Sequence, residues 1–164
     1  GVNIGKSLYE EECLEDAKSI LEEAKQNNKP LILPVDHIAS TILSPNSEAY
    51  KISTQDIPDS LVGLDIGKKT IKLFVKKIKE AKTIIWNGPM GVFEYDAFKK
   101  GTKKIAKAVA KNHGKTIVGG GDSIAALHAL KLDKDIYHIS TGGGASLKLI
   151  AGESLPGVDV ITDI

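Results

Sequence analysis

Apolar residues recur along this chain at two spacings, and the alternation between them is the first structural signal. From Tyr9 to Gln26, Cys13, Ala17, Ile20, Leu21 and Ala24 repeat at helical spacing among acidic residues, which predicts an amphipathic helix. Leu31–Val35 is a short apolar run that reads as a strand, and Pro34 assigns it to an edge or an end. Residues 44–61 are polar, hold Pro45, Asn46 and Pro58, and read as a loop with room for a small hairpin. Ile71, Phe74, Val75 and Ile78 mark a basic amphipathic helix, and Thr83–Trp86 reads as a buried strand. Phe98, Ile105 and Val109 predict a further helix that ends by Gly114. A strand at 116–118, a helix at 123–131, a strand at 136–139 and a helix from Ala145 to about Ala151 complete the series. Strands alternating with helices predict an α/β fold: a three-layer, doubly wound (Rossmann-like) parallel sheet covered on both faces.

Two glycine turns sharpen this picture. Gly119-Gly120-Gly121-Asp122-Ser123 follows the strand Lys115–Val118, and Gly142-Gly143-Gly144-Ala145-Ser146 follows Ile136–Ile139. Each runs straight into an apolar helical stretch. A glycine turn opening a helix offers several backbone N–H groups at the positive end of the helix dipole, a ready anion site. Ligands of open parallel sheets bind beyond the carboxyl ends of the strands, and that rule adds Asn87-Gly88-Pro89-Met90-Gly91-Val92-Phe93-Glu94. The three segments should converge, although each also serves as a tight strand-to-helix connection. Neither common phosphate signature holds. A dinucleotide fingerprint counted from Gly119 fails at Ile124, and Gly1-Val2-Asn3-Ile4-Gly5-Lys6-Ser7 is one residue short of a Walker loop.

Asp122 has two readings. A carboxylate in a first helical turn favours the dipole. Beside a bound phosphate it would repel unless a cation lay between them, and Mg²⁺ typically binds one or two carboxylates plus phosphate oxygens. Ser123 reads either as a donor to a phosphate oxygen or as a cap, and Glu94 as a ribose acceptor or a solvated first-turn residue.

Composition narrows the class. The chain has 164 residues, 41% hydrophobic and 26% charged, ordinary values for a globular domain. Net charge is +1 from 22 basic and 21 acidic side chains, so no global field favours nucleic acid or an anionic membrane. No apolar run approaches the ~20 residues of a membrane span. Cys13 is the only cysteine, so a reducing, cytoplasmic setting is expected. His37, His113, His128 and His138 share no metal-like spacing, and the lysine-rich segment 99–111 reads as a solvated helix face.

The segments Trp86–Glu94, Gly119–Ser123 and Ser140–Leu147 resemble the signature segments of the phosphoglycerate kinase family. Further matches are Ile4-Gly5-Lys6-Ser7-Leu8, Leu31–Asp36, Gly63-Leu64-Asp65-Ile66-Gly67 and the ending Leu155-Pro156-Gly157-Val158-Asp159, all in the family's order. Two positions depart from the pattern. Lys68 stands where proline is usual, and Ser123 where threonine is commoner.

The resemblance implies a two-domain glycolytic enzyme, monomeric at full length, that moves phosphate between 1,3-bisphosphoglycerate and Mg-ADP. Leu8 and Gly63 would approach the adenine. Asn87, Gly88, Phe93 and Glu94 would surround the ribose and phosphates. Gly120, Gly121, Asp122 and Ser123 would cradle the phosphates, with Asp122 on the metal. Gly121 and Gly144 are the implied catalytic positions, at helix starts facing the transferred group.

By the same resemblance, residues 1–164 are expected to be the C-terminal nucleotide-binding domain, without the N-terminal domain that holds 3-phosphoglycerate and without the start of this domain. The expected consequence is an incomplete sheet. Two strands normally lie between Leu31–Val35 and Thr83–Trp86, so residues 1–60 would be mobile or displaced, or another chain would fill the gap. The alternatives are a stand-alone Mg-nucleotide module without turnover, and an unrelated Rossmann oxidoreductase that the missing fingerprint disfavours.

Overall fold

Two three-stranded sheets organise the chain, one antiparallel and one parallel. The computed structural model describes residues 1–161. The antiparallel sheet has β1 (His37–Ser40) between β2 (Tyr50–Ile52) and β3 (Val62–Ile66). The parallel sheet has the order β4 (Thr83–Asn87), β5 (Lys115–Gly119), β6 (His138–Ser140). Helix α1 covers Leu14–Gln26, α2 Lys68–Glu80, α3 Lys100–Ala110, α4 Gly121–Leu130, α5 Gly143–Ile150 and α6 Pro156–Asp159.

The α/β alternation from Lys68 onward forms as the periodicity predicts. Ile84 and Trp86 of β4, Val118 of β5 and Ile139 of β6 share one sheet face. Ile71 of α2, Ile105, Ala106 and Val109 of α3 and Leu127 of α4 pack onto it as one core. The other face is not closed in the same way. Ile85 points there and stays 48% exposed. The parallel sheet flanked by helices is the α/β arrangement expected, and Thr83–Trp86 is an edge strand in which only Trp86 is buried. The incomplete sheet was expected. Among the described residues, β4 pairs only with β5, and its outer edge has no strand partner.

Differences concentrate in the first third of the chain. Leu31–Val35 forms no strand, and Leu31 and Leu33 are half exposed. A strand needs a neighbour for its N–H and C=O groups, and among the described residues no strand pairs with this run. The amphipathic helix begins at Leu14 after a short 3-10 turn at Glu11–Cys13, and none of its residues is buried. The periodicity correctly signalled a helix with an apolar stripe, but the surface that would cover that stripe is absent among the described residues. Conversely, β1 and β3 carry no strand signal strong enough to be read locally. Their pairing, from His37 against Ile66 to Ser40 against Val62, makes them strands.

One distant side chain starts α2. Asp36 Oδ2 accepts the Lys69 N–H at 2.8 Å, and Oδ1 accepts the Thr70 N–H at 2.7 Å and the Thr70 hydroxyl at 2.6 Å. A Cβ on Gly67 would overlap this carboxylate, so glycine is required there. Burial pushes the Asp36 carboxyl up, but the bonds from Thr70 and Lys69 outweigh it and hold it below the usual carboxylate range. This group therefore contributes stability above its ordinary pKa, and the contribution is lost as pH falls through the lowered folded value.

Candidate functional site

The parallel register brings the three loop segments together. Asn87 lies opposite Gly119, and Gly119 opposite Ser140, so the strands end in line and their turns leave from one edge. Side-chain bonds to the backbone then lock the turns. The Gly88 N–H donates to Ser123 Oγ at 2.7 Å, which ties the first turn to the start of α4. The Trp86 indole N–H donates to the Gly88 carbonyl at 2.7 Å. Ser123 is fully buried, so its hydroxyl serves the protein as a staple between turns.

The glycines divide into two kinds. Gly120 has φ +85°, and a Cβ there would overlap the Asn87 side chain. A Cβ on Gly143 would lie 2.7 Å from the Gly120 nitrogen. Those two are dictated by the conformation and close approach of the turns themselves. A Cβ on Gly121 or Gly144 would meet nothing within 4 Å, and neither has a left-handed φ. Nothing inside the described chain asks for glycine at either position. Both sit in the first turn of a helix, α4 and α5, where an incoming anion can approach the backbone N–H groups closely. That open cradle fits phosphate oxygens. Asp122, exposed in the first turn of α4, leaves a carboxylate beside it.

The remaining predicted residues fall into two other places. Leu8 and Gly63 line a cavity of about 530 Å³ together with His37, Ile57 and the turn Pro89–Val92. The Gly63 N–H donates to Ser7 Oγ at 3.0 Å, and Leu8 itself is 100% exposed at the mouth. The lining of this cavity is mostly apolar. Phe93 and Glu94 instead line a separate cavity of about 290 Å³ with Lys99, Thr102, Lys103 and Ala126. The structure thus brings Asn87, Gly88, Gly120–Ser123 and Gly144 to one edge and puts Leu8 and Gly63 in a neighbouring slot. Phe93 and Glu94 line a cavity of their own. Among the described residues no three His, Cys, Asp or Glu side chains cluster as a metal site.

Sequence reasoning passed over Asp65. It lies in the wall of the larger cavity, is only 5% exposed, and accepts the Ile66 N–H at 2.8 Å and the Gly101 N–H at 2.7 Å. Burial pushes its carboxyl from 3.8 up to about 6, only partly offset by those two N–H groups. The folded protein holds this proton more tightly than the unfolded chain. Stability from this group is therefore highest below pH 3.8 and falls as pH rises to about 6, by about 3 kcal/mol across that range. Urea unfolding at a series of pH values should show that decline in the wild type, and Asp65→Asn should flatten it. A wild type and variant with parallel pH profiles would refute the assignment.

Comparison with known proteins agrees with the geometry. The family model for phosphoglycerate kinase matches residues 1–153. A phosphoglycerate kinase of Borrelia garinii subsp. bavariensis is 51% identical over 161 residues, which is 98% of this chain and 41% of the relative. One from Clostridium tetani is 47% identical over 163 residues, again covering 41% of the relative. Among solved structures, phosphoglycerate kinase from Coxiella burnetii superposes with a TM-score of 0.92 at 41% identity, over 99% of this chain and 42% of that one. The enzyme from Pyrococcus horikoshii gives 0.77 at 34% identity, over 90% of this chain and 36% of that one. The chain thus spans about 41% of the length of these curated relatives. Matched by the family model over nearly all its length and sharing its fold with solved members, this chain belongs to the phosphoglycerate kinase family.

Proposed function

We propose that these residues form the C-terminal, nucleotide-binding domain of a phosphoglycerate kinase and supply the Mg-nucleotide half of the site. The complete reaction moves phosphate reversibly between 1,3-bisphosphoglycerate and ADP. It needs the substrate-holding part of the family's chain, so these residues alone bind nucleotide without turnover. The observation that carries this reading is the pair of glycines, Gly121 and Gly144, whose missing side chains face open space at two converging helix starts.

Each part has a role that follows from its place. The slot between Gly63 and Pro89–Val92 takes the base, with Leu8 at its mouth. Asn87 and Gly88 hold the ribose and phosphates at the sheet edge, and Phe93 and Glu94 continue that turn. The N–H groups at the start of α4 face the phosphates, with Ser123 fixing the turn. Asp122 is the residue that would hold Mg²⁺, and the ion when bound would supply charge neutralisation beside the phosphate oxygens. Gly121 and Gly144 leave room for the transferred group, so its oxygens meet backbone N–H donors from two helices. Phosphoryl transfer needs little covalent chemistry from protein, and positioning plus charge neutralisation is what this edge offers. The same reading makes the full-length enzyme a monomer of the cytoplasm. Among the described residues no helix is long and apolar enough to cross a membrane.

Calorimetric titration of Mg-ADP into the chain tests this. Saturable binding is expected, weakened roughly tenfold or more by Asp122→Ala and by removing Mg²⁺ with a chelator. Binding indifferent to both changes would remove Asp122 from the metal. No binding to a demonstrably folded sample would overturn the proposal that these residues suffice for the nucleotide site.

A further inference from the structure

Asp65 is buried without a cation to pair with. Among the described residues, no lysine or histidine nitrogen lies within 4.0 Å of its carboxylate. Burying a carboxylate without a counter-charge is costly, and its hydrogen bonds offset only part of that cost. Its two bonds run to different parts of the fold. Ile66 N–H is on its own strand β3, while Gly101 N–H belongs to the first turn of α3. A negative group there also meets the positive end of the α3 dipole.

The carboxylate also occupies volume that two neighbouring residues leave free. A Cβ on Gly91 would come within 2.6 Å of Asp65 Oδ1 and of the Leu64 carbonyl, and a Cβ on Gly101 would overlap Oδ1 outright. Beside this contact, the Val92 N–H donates to the Leu64 carbonyl at 2.9 Å. Strand β3, the 88–94 turn and α3 therefore meet at one side chain. Two of those three elements are the walls of the larger cavity: Gly63–Ile66 on one side and Pro89–Val92 on the other.

We propose that Asp65 is a positioning residue that sets the spacing between the two walls of the base slot, so that affinity for the nucleotide's base depends on it and affinity for its phosphates does not. This rests on the nucleotide reading above. Asp65 touches no ligand itself; it acts through the backbones of Leu64 and Gly91. Removing the carboxylate frees the Gly101 N–H and opens space beside Gly91, and the turn, still tied to β3 by the Val92–Leu64 bond, can settle into that space and change the width of the slot. The phosphate edge is held separately, by the Gly88–Ser123 bond and the parallel register. It should not follow.

The test separates the two halves of the ligand. Adenosine and Mg-pyrophosphate are titrated separately into the wild-type chain and into Asp65→Ala and Gly91→Ala, all at neutral pH. In Asp65→Ala, adenosine affinity is expected to fall roughly tenfold while Mg-pyrophosphate affinity holds within about twofold, as for a wall displaced by a fraction of an ångström. Gly91→Ala pushes on the same contact from the other side with the carboxylate intact, and should reproduce the selective loss. Unchanged adenosine binding, or equal loss of both probes, would overturn the proposal. Should Asp65→Ala not fold, Asp65→Asn, which keeps the volume but turns one of the two acceptors into a donor, decides by the same criterion. A wild type that binds Mg-pyrophosphate but not adenosine overturns the base slot and leaves the phosphate edge standing. One that binds neither overturns the nucleotide reading itself.

Discussion

Gly120→Ala is expected to lower stability by about 1–3 kcal/mol and to abolish saturable Mg-ADP binding, because glycine alone tolerates φ +85° with ψ 133°. A side chain there would also overlap Asn87, the last residue of β4. Relief requires the turn to move, and the turn carries the N–H groups of the α4 start. Stability and binding should therefore fail together. Gly121→Ala and Gly144→Ala form the contrast. Their Cβ atoms meet nothing in the protein, and alanine is the better helix former by about 0.5–1 kcal/mol. Their stability should hold or rise slightly while Mg-ADP affinity falls, since the new methyl occupies the ligand's approach. Urea unfolding paired with calorimetry on the three variants reads both quantities. If Gly121→Ala and Gly144→Ala bind like wild type, the open cradle is not where phosphate sits.

Leu127→Ala should be the most damaging single truncation near the site, at about 2–5 kcal/mol. Leu127 is fully buried on α4 and belongs to the core with Trp86, Val118, Ile105 and Val109. The loss combines the transfer free energy of the removed carbons with the cavity left behind. The position also matters functionally. Leu127 seats the helix whose first turn holds Gly121, Asp122 and Ser123. A domain of ordinary stability has about 5–15 kcal/mol in total, so the variant should unfold at much lower urea. Its midpoint should fall without a large change in slope, since the area exposed on unfolding is nearly the same. A midpoint within a few tenths of a molar of wild type would mean that α4 is held mainly by its turns and not by this core.

Much of the site was legible in the residues, for a specific reason. A glycine turn between an apolar strand and an apolar helix is a local pattern, and parallel strands then bring such turns to one edge. Gly119–Ser123, Gly142–Ser146 and Asn87–Glu94 were found this way, and the register confirms that their strands end in line. The spacing of Ile71, Phe74, Val75 and Ile78, and of Phe98, Ile105 and Val109, likewise signals two helices, and α2 and α3 form there, α3 starting after Phe98. Asp65 was passed over. Nothing in Gly-Leu-Asp-Ile-Gly says that its carboxylate is buried, because its partner Gly101 is 36 residues away. Leu31–Val35 failed for the opposite reason. Its local pattern is a sound strand pattern, but a strand also needs a neighbour.

By itself, the sequence determined the order of helices and strands from residue 68 onward, the three glycine-bearing turns and the family. All of these depend on side-chain period or on short contiguous motifs, which are properties of neighbouring residues. The tertiary structure alone decided which glycines the fold demands and which face open space. It also decided that the Ser123 hydroxyl staples Gly88, that Asp36 caps a helix more than thirty residues on, and that Asp65 is buried without a counter-charge. Each of these turns on desolvation and contact between segments remote in the chain, and those energies exist only once the segments have met.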